Sequence, residues 1–316
     1  MEELNAIVQQ VVQVSPIMKV FRIAPLGWEL PDFKPGQFVG IGLPPTASKC
    51  AEATEEPVEP APDKLIKRAY SIASSNISKD YVEFYITLVH SGALTPRLFD
   101  LKIGDKIWLG QKFVGMFTLD QVDETQNIVL IGTGTGVAPY MSMLRSDALR
   151  RKGRILVIHG ASNSWDLGYS SELNLLQSIA PHFDYIPTIT MPEKEHVAWN
   201  GRTQFIEDIW KEGAIEQLWG FKPTAENTHI FLCGNPRMVN GMIEMLEGEG
   251  FVEHTRKQAG QYTPRNSIKS CLSNRFKRLK ESPLFESFPF VKRRILILLK
   301  FDDGSWVQLR KKTLIL

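Results

Sequence analysis

Cysteine is scarce in this chain: only Cys50, Cys233 and Cys271 stand among 316 residues, far apart, with no CxxC pair. That excludes an iron–sulfur cluster, a structural zinc of the cysteine type and a disulfide framework. Long apolar runs are missing too, so no membrane insertion is predicted. Neither charge sign dominates. The 37 Lys and Arg against 35 Asp and Glu leave a formal net charge of +2, too little to imply nucleic-acid binding. The N-terminal MEELNAIVQQVVQVSP opens acidic, without a basic stretch ahead of an apolar core. It predicts no secretory leader and a cytoplasmic location. No Ser-His-Asp set or GxSxG elbow is visible, and His159, His182, His196, His229 and His254 have no metal-ligand spacing, so no metal site is expected.

The length suits two ordinary domains. From Ala6 to about Leu119 the apolar residues form short runs broken by turns (MKVFRIAP, GQFVGIGLP, YVEFYITLVH), the spacing of an antiparallel barrel or sandwich. Within it, residues 44–64 are rich in Pro, Ala and Glu and predict a mobile acidic loop. After Gln121 the rhythm becomes strand, turn, helix: NIVLI before GTGTGVAP, RILVIHG, SSELNLLQSIA, YIPTIT, TQFIEDIWKEG, and HIFLCG before PRMVNGMIEMLEGEG. Such alternation predicts a parallel sheet with helices on both faces. The expected divisions are therefore residues 1–121, 122–261 and a basic tail, 262–316, without this rhythm and dispensable for folding.

Four motifs carry chemistry. Gly132, Gly134 and Gly136 follow a buried strand, and Pro139 sits in the first turn of the next helix. Glycines let the backbone approach a pyrophosphate, and a helix N-terminus offers it free N–H groups. In RAYSIASS, Arg68 suits a phosphate, Tyr70 the face of a planar ring and Ser71 its edge. HSGALTPRL leads from Gly92 into a short helix. FLCGNPRM places Cys233, Gly234 and Asn235 at the carboxyl edge of a parallel strand, where open α/β sheets bind ligands. Taken singly, each also reads as ordinary structure, Cys233 as a buried apolar thiol.

Their order decides. RAYS, SGALTPRL, GTGTGVAP and CGNPRM, in that succession, resemble the ferredoxin–NADP(+) reductase family, bacterial subclass, over residues 5–261. The resemblance implies a six-stranded antiparallel β-barrel for FAD and a five-stranded parallel α/β domain for NADP(H). It implies that Arg68, Ala69, Tyr70 and Ser71 hold the flavin, that Tyr85, Thr87, Val89, Ala93, Leu94 and Thr95 line the rest of its site, and that Thr135 lies at the ring. Gly132, Gly134 and Gly136 face the nucleotide pyrophosphate, with Asn235, Pro236, Arg237 and Met238 beside it. Ser71 and Cys233 become the residues orienting the rings for hydride transfer. The implied carrier is a separate ferredoxin or flavodoxin, docking on basic residues such as Lys64, Lys67 and Arg97; a monomer is expected.

Two departures leave alternatives open. The 2′-phosphate positions carry Ser162 and Pro192 where the subclass commonly has arginines, and only Arg202 matches, so NAD(H) stands beside NADP(H). The family's short aromatic ending is replaced by the basic tail, as by a shifted reading frame or a real extension. An NADH-dependent reductase component of an oxygenase, or a flavin-binding module inactivated at its C-terminus, are the competing readings.

Overall fold

The computed structural model describes residues 2–58, 60–265, 297–300 and 306–309. The first part is a six-stranded antiparallel sheet in the order β4-β3-β6-β1-β2-β5. Its elements are β1 (Ala6–Ser15), β2 (Met18–Pro25), β3 (Phe38–Leu43), β4 (Ile66–Ser71), β5 (Val82–Thr87), α1 (Thr95–Asp100) and β6 (Lys106–Leu109). Period-two alternation turns Val82, Phe84 and Ile86 of β5 into one apolar core with Phe21, Ile41 and Leu109. The two sheet edges meet just past β4, where the Ala73 N–H donates to the Glu83 carbonyl at 2.8 Å. Ahead of β1, the Asn5 side chain substitutes for a strand peptide: it donates to the Leu109 carbonyl (3.0 Å) and accepts from the Leu109 N–H (2.8 Å).

Within the acidic stretch 44–64, expected to be mobile, Pro45, Cys50, Thr54 and Glu56 are bonded to the barrel around α1. Arg97 on α1 donates to the Pro45 carbonyl (2.8 Å) and to Glu56 (2.6 Å), and Lys49 pairs with the same carboxylate. Cys50 and Thr54 add backbone bonds to Pro96 and His90. Composition misses this because the anchoring charge lies outside the segment. Arg97 is thereby buried, so it cannot serve the basic docking surface expected of it.

The second part is a five-stranded parallel sheet in the order β11-β10-β7-β8-β9. It comprises β7 (Asn127–Thr133), α2 (Ala138–Leu144), β8 (Ile155–Ala161), α3 (Ser170–Ile179), β9 (Phe183–Ile189), α4 (Ile206–Lys211), α5 (Ala214–Trp219), β10 (Thr228–Cys233), α6 (Pro236–Gly248) and β11 (Tyr262–Pro264). Alternation in β7 sends Ile128 and Leu130 to the core under α2 and α3, and Val129 and Ile131 to the core under α4, α5 and α6. The first of these cores also takes in Met18, Val20, Tyr85 and Phe117 of the barrel.

The sheet runs past the boundary expected at Gln261. Tyr262, Thr263 and Pro264 pair with Ile230, Phe231 and Leu232, and Tyr262 is fully buried. Pro264 donates no ladder bond, which an edge strand tolerates. A separate unit, residues 267–316, contains β12 (Ile297–Lys300) paired antiparallel with β13 (Trp306–Leu309). Cys271 and most of the expected basic tail lie outside the described residues.

Candidate active site at the reversal of strand order

After β7 the chain builds β8 and β9 to one side, then returns to lay β10 and β11 on the other. Strand order therefore reverses between β7 and β10, and an open sheet binds ligands outside that reversal. Both C-terminal-domain motifs sit there, Cys233 in register with Gly132. Their contact requires glycine. A Cβ on Gly136 would lie 2.4 Å from the Cys233 carbonyl oxygen; one on Gly234, whose φ is +136°, would lie 2.2 Å from Thr133 Oγ1. That hydroxyl accepts from the Asn235 N–H at 2.7 Å, while Asn235 Oδ1 caps α6 by accepting from the Arg237 N–H at 2.8 Å. Asn235, Pro236 and Arg237 are exposed at the mouth of the crevice.

Cys233 is 8% exposed, and burial pushes its thiol up to about 11 against the opposing influence of Arg265. A protonated thiol there packs; it is no thiolate nucleophile.

Several supporting residues had no motif to announce them. The Tyr140 hydroxyl lies 2.7 Å from the Ile131 carbonyl and 2.9 Å from that of Phe231, joining β7 to β10 behind the glycine turn. His159 on β8 holds the turn itself: its Nε2 is 3.1 Å from the Gly134 carbonyl, with the Tyr185 hydroxyl 3.4 Å from Nδ1. Arg265 lies over both Phe38 and Phe117, at 5.4 and 5.5 Å, and donates to the Gly36 carbonyl. It lines a cavity of about 350 Å³ with Phe38, Phe117, His254 and Arg256. A polar residue inside an apolar run was the only signal for Tyr140 and His159; Arg265 left none.

His159 gives a pH prediction. Burial pushes its imidazole down to about 4 from 6.5, the Gly134 carbonyl opposing. Between those values the unfolded chain binds the proton and the folded chain does not. The neutral ring therefore stabilises the fold above pH 6.5, and about 3 kcal/mol is lost as pH falls to 4. Thermal unfolding followed from pH 7 to pH 4 is expected to drop less steeply in His159→Gln than in the parent. Equal acid sensitivity would remove His159 from the account.

On the barrel side β5 lies against the glycine turn, with β4 beside β5. Arg68 is exposed and donates only to the Lys67 carbonyl (2.8 Å); among the described residues it pairs with no carboxylate. Ala69 is exposed beside it, and Ser71 is half-buried opposite Phe38. Tyr70 rests edge-on against Phe84 with centroids 6.4 Å apart, and burial raises its hydroxyl well above the usual range. Thr87 brings the two walls together, its Oγ1 3.4 Å from that of Thr135.

Other expected residues have their side chains committed elsewhere. Tyr85 is buried edge-on against Tyr169 and donates to the Asp166 carbonyl at 3.1 Å. Leu94 is in the barrel core, and the Thr95 hydroxyl bonds the Val89 peptide on both sides. Met238 shares the buried face of α6 with Met242 and Leu246, one turn apart. Val89 is exposed and Ala93 half-buried. Of the two residues expected at the ribose, Ser162 is exposed, but Arg202 is ion-paired to Glu212 and donates to Gln204 at 3.1 Å.

Comparison with known proteins follows this geometry. Residues 130–244 match the family described as oxidoreductase NAD-binding domain. The flavodoxin/ferredoxin–NADP reductase of Buchnera aphidicola subsp. Baizongia pistaciae is 32% identical over 205 residues, 64% of this chain and 81% of that protein. The ferredoxin–NADP reductase of Azotobacter vinelandii is 30% identical over 228 residues, 69% of this chain and 80% of that one. The crystal structure of a ferredoxin NADP+ reductase from Neisseria gonorrhoeae with bound FAD and NADP superposes with a TM-score of 0.70 at 24% identity, covering 84% of this chain and 100% of that one.

Proposed function

Because the chain belongs to the ferredoxin–NADP(+) reductase family, we propose that it passes electrons between NADPH and a separate ferredoxin or flavodoxin through FAD held on the barrel. The observation that carries this reading is the meeting of Thr87 with Thr135 at the mouth where Cys233 stands beside Gly132. One crevice is thus walled by both domains.

The residues present fit both groups. Arg68, which pairs with no carboxylate among the described residues, offers its guanidinium to the flavin phosphates, followed on the same strand by Tyr70 and Ser71. The turn from Gly132 to Gly136, with the capped start of α6 beside it, offers backbone N–H groups to the nucleotide pyrophosphate. A bound flavin takes two electrons as hydride and gives them up singly. Ser71 and Cys233 orient the rings, and the packed walls around Thr87 and Thr135 exclude water. Ser71→Ala and Cys233→Ala are each expected to lower kcat about tenfold while KM for NADPH stays within about twofold. Unchanged kcat in both would return Cys233 to the core.

For the carrier, Lys64 is exposed, whereas Lys67 is paired with Glu2 at 2.6 Å and lies over Trp108. Docking therefore rests on Lys64 more than on the other two residues expected from sequence. For the nucleotide, a 2′-phosphate must displace Glu212 from Arg202, with the exposed Lys194 and Ser162 nearby in sequence to their strands' ends. NADP(H) is the proposed substrate and NAD(H) the alternative. Cytochrome c reduction with NADPH and NADH, with and without ferredoxin or flavodoxin, tests both choices. A clear preference for NADH, or no stimulation by either carrier, would favour the oxygenase-reductase reading. No flavin spectrum after FAD supplementation would overturn every enzymatic version.

A further inference from the structure

Resting on that reading, a second network governs how the two walls of the crevice meet. The outward stripe of β5 is Glu83, Tyr85 and Thr87, all three turned to the α/β layer. Glu83 is 1% exposed. Its carboxylate accepts from Arg22 on β2 at 2.9 Å, from Arg145 at 2.5 Å and from the Tyr169 hydroxyl at 2.8 Å. Arg145 caps α2 and reaches further, to the Ala73 carbonyl at 3.0 Å and to Glu172 on α3 at 2.6 and 2.8 Å. Burial alone would raise the Glu83 carboxyl, but Arg145, Arg22 and Tyr169 outweigh it and keep it ionised.

The cluster is one end of a frame. From Glu83 to Thr87, β5 spans about 13 Å along the barrel. On the facing side α2 spans about 10 Å, from the end of the glycine turn to Arg145. The two rods are tied at both ends, by Glu83 with Arg145 and by Thr87 with Thr135. An apolar contact between domains can slide, whereas a buried carboxylate shared by two guanidinium groups tolerates only the geometry that keeps it paired. We propose that Glu83 and Arg145 are positioning residues: by tying β5 to α2 they set the separation of Ser71 and Thr87 from the Gly132–Gly136 turn, and with it the alignment of nicotinamide and flavin.

The test uses the full chain loaded with FAD. Glu83→Gln keeps the shape of the side chain and removes its charge. FAD content and NADPH affinity are expected to stay within about twofold, while reduction of the bound FAD by NADPH in anaerobic stopped flow slows on the order of tenfold. The long-wavelength charge-transfer absorbance on mixing with NADP+ should weaken, and amide exchange at Gly134 to Gly136 should quicken. If Glu83→Gln does not accumulate, Tyr169→Phe removes one donor, leaves every charge paired, and should move the same readouts by a smaller factor. A lower melting temperature with unchanged absorbance, exchange and reduction rate overturns the positioning role. Failure of NADPH to reduce FAD in the unaltered chain would instead overturn the proposed function, and this inference with it.

Discussion

Alanine at position 136 is expected to weaken NADPH binding about a hundredfold and to cost about 1 to 3 kcal/mol of stability. The added methyl would stand 2.4 Å from the Cys233 oxygen, 2.7 Å from its carbonyl carbon and 2.8 Å from the Gly234 Cα, all backbone atoms. No side chain can rotate away, so the turn and the end of β10 must separate. That shift breaks the alignment of the Asn235 N–H with Thr133 Oγ1 and displaces the start of α6 from the crevice. Gly248→Ala is the control, since its Cβ would meet nothing within 4 Å at an ordinary φ. Fluorescence titration with NADPH and thermal unfolding, run on both variants, decide the matter. Near-parental affinity in Gly136→Ala would show that the close approach of the two motifs has no part in nucleotide binding.

The second large effect concerns β11. A chain ending at Gln261 is expected to melt about 10 °C or more below one ending at Arg265, because four residues carry unusually many buried contacts. Tyr262 is fully buried and its hydroxyl donates to Glu247 on α6 at 2.8 Å. Thr263 holds the buried His229 at 2.9 Å and accepts from Gln121 at 3.2 Å. The Arg265 N–H donates to the Leu232 carbonyl, continuing the ladder, and its side chain reaches the barrel at Gly36. Removing them exposes the edge of β10 and leaves His229 without its partner. Equal melting temperatures for the two truncations would show that the sheet is complete with four strands.

The parts of the site legible in sequence were those where backbone geometry restricts residue choice. Gly132, Gly134 and Gly136 announced a turn, and Cys233, Gly234 and Asn235 the carboxyl edge of a strand. Side-chain direction was harder. Tyr85 was assigned to the flavin site and Met238 to the nucleotide by position in a motif, yet β5 is buried on both faces and α6 buries one residue per turn, so the pattern does not say which ligand or core each side chain meets. Long-range charge pairing was invisible for a different reason. Glu83 meets Arg145 and Tyr169 from 62 and 86 residues away, and Arg97 meets Glu56 across 41. The three-residue β11 is shorter than any periodicity can reveal.

The Asn5 clasp on Leu109 has a kinetic consequence. It joins residues 104 apart, and the adjoining pairs of β1 with β6 are as distant in sequence. Closing a loop of that length costs about 4 kcal/mol of chain entropy before any contact repays it. The hairpin of β1 and β2, whose partners are near neighbours, needs no such closure. Hydrogen-exchange pulse labelling during refolding should therefore find the β1–β2 amides protected first and the Leu109 amide late, on the millisecond-to-second scale of proteins rich in nonlocal strand pairing.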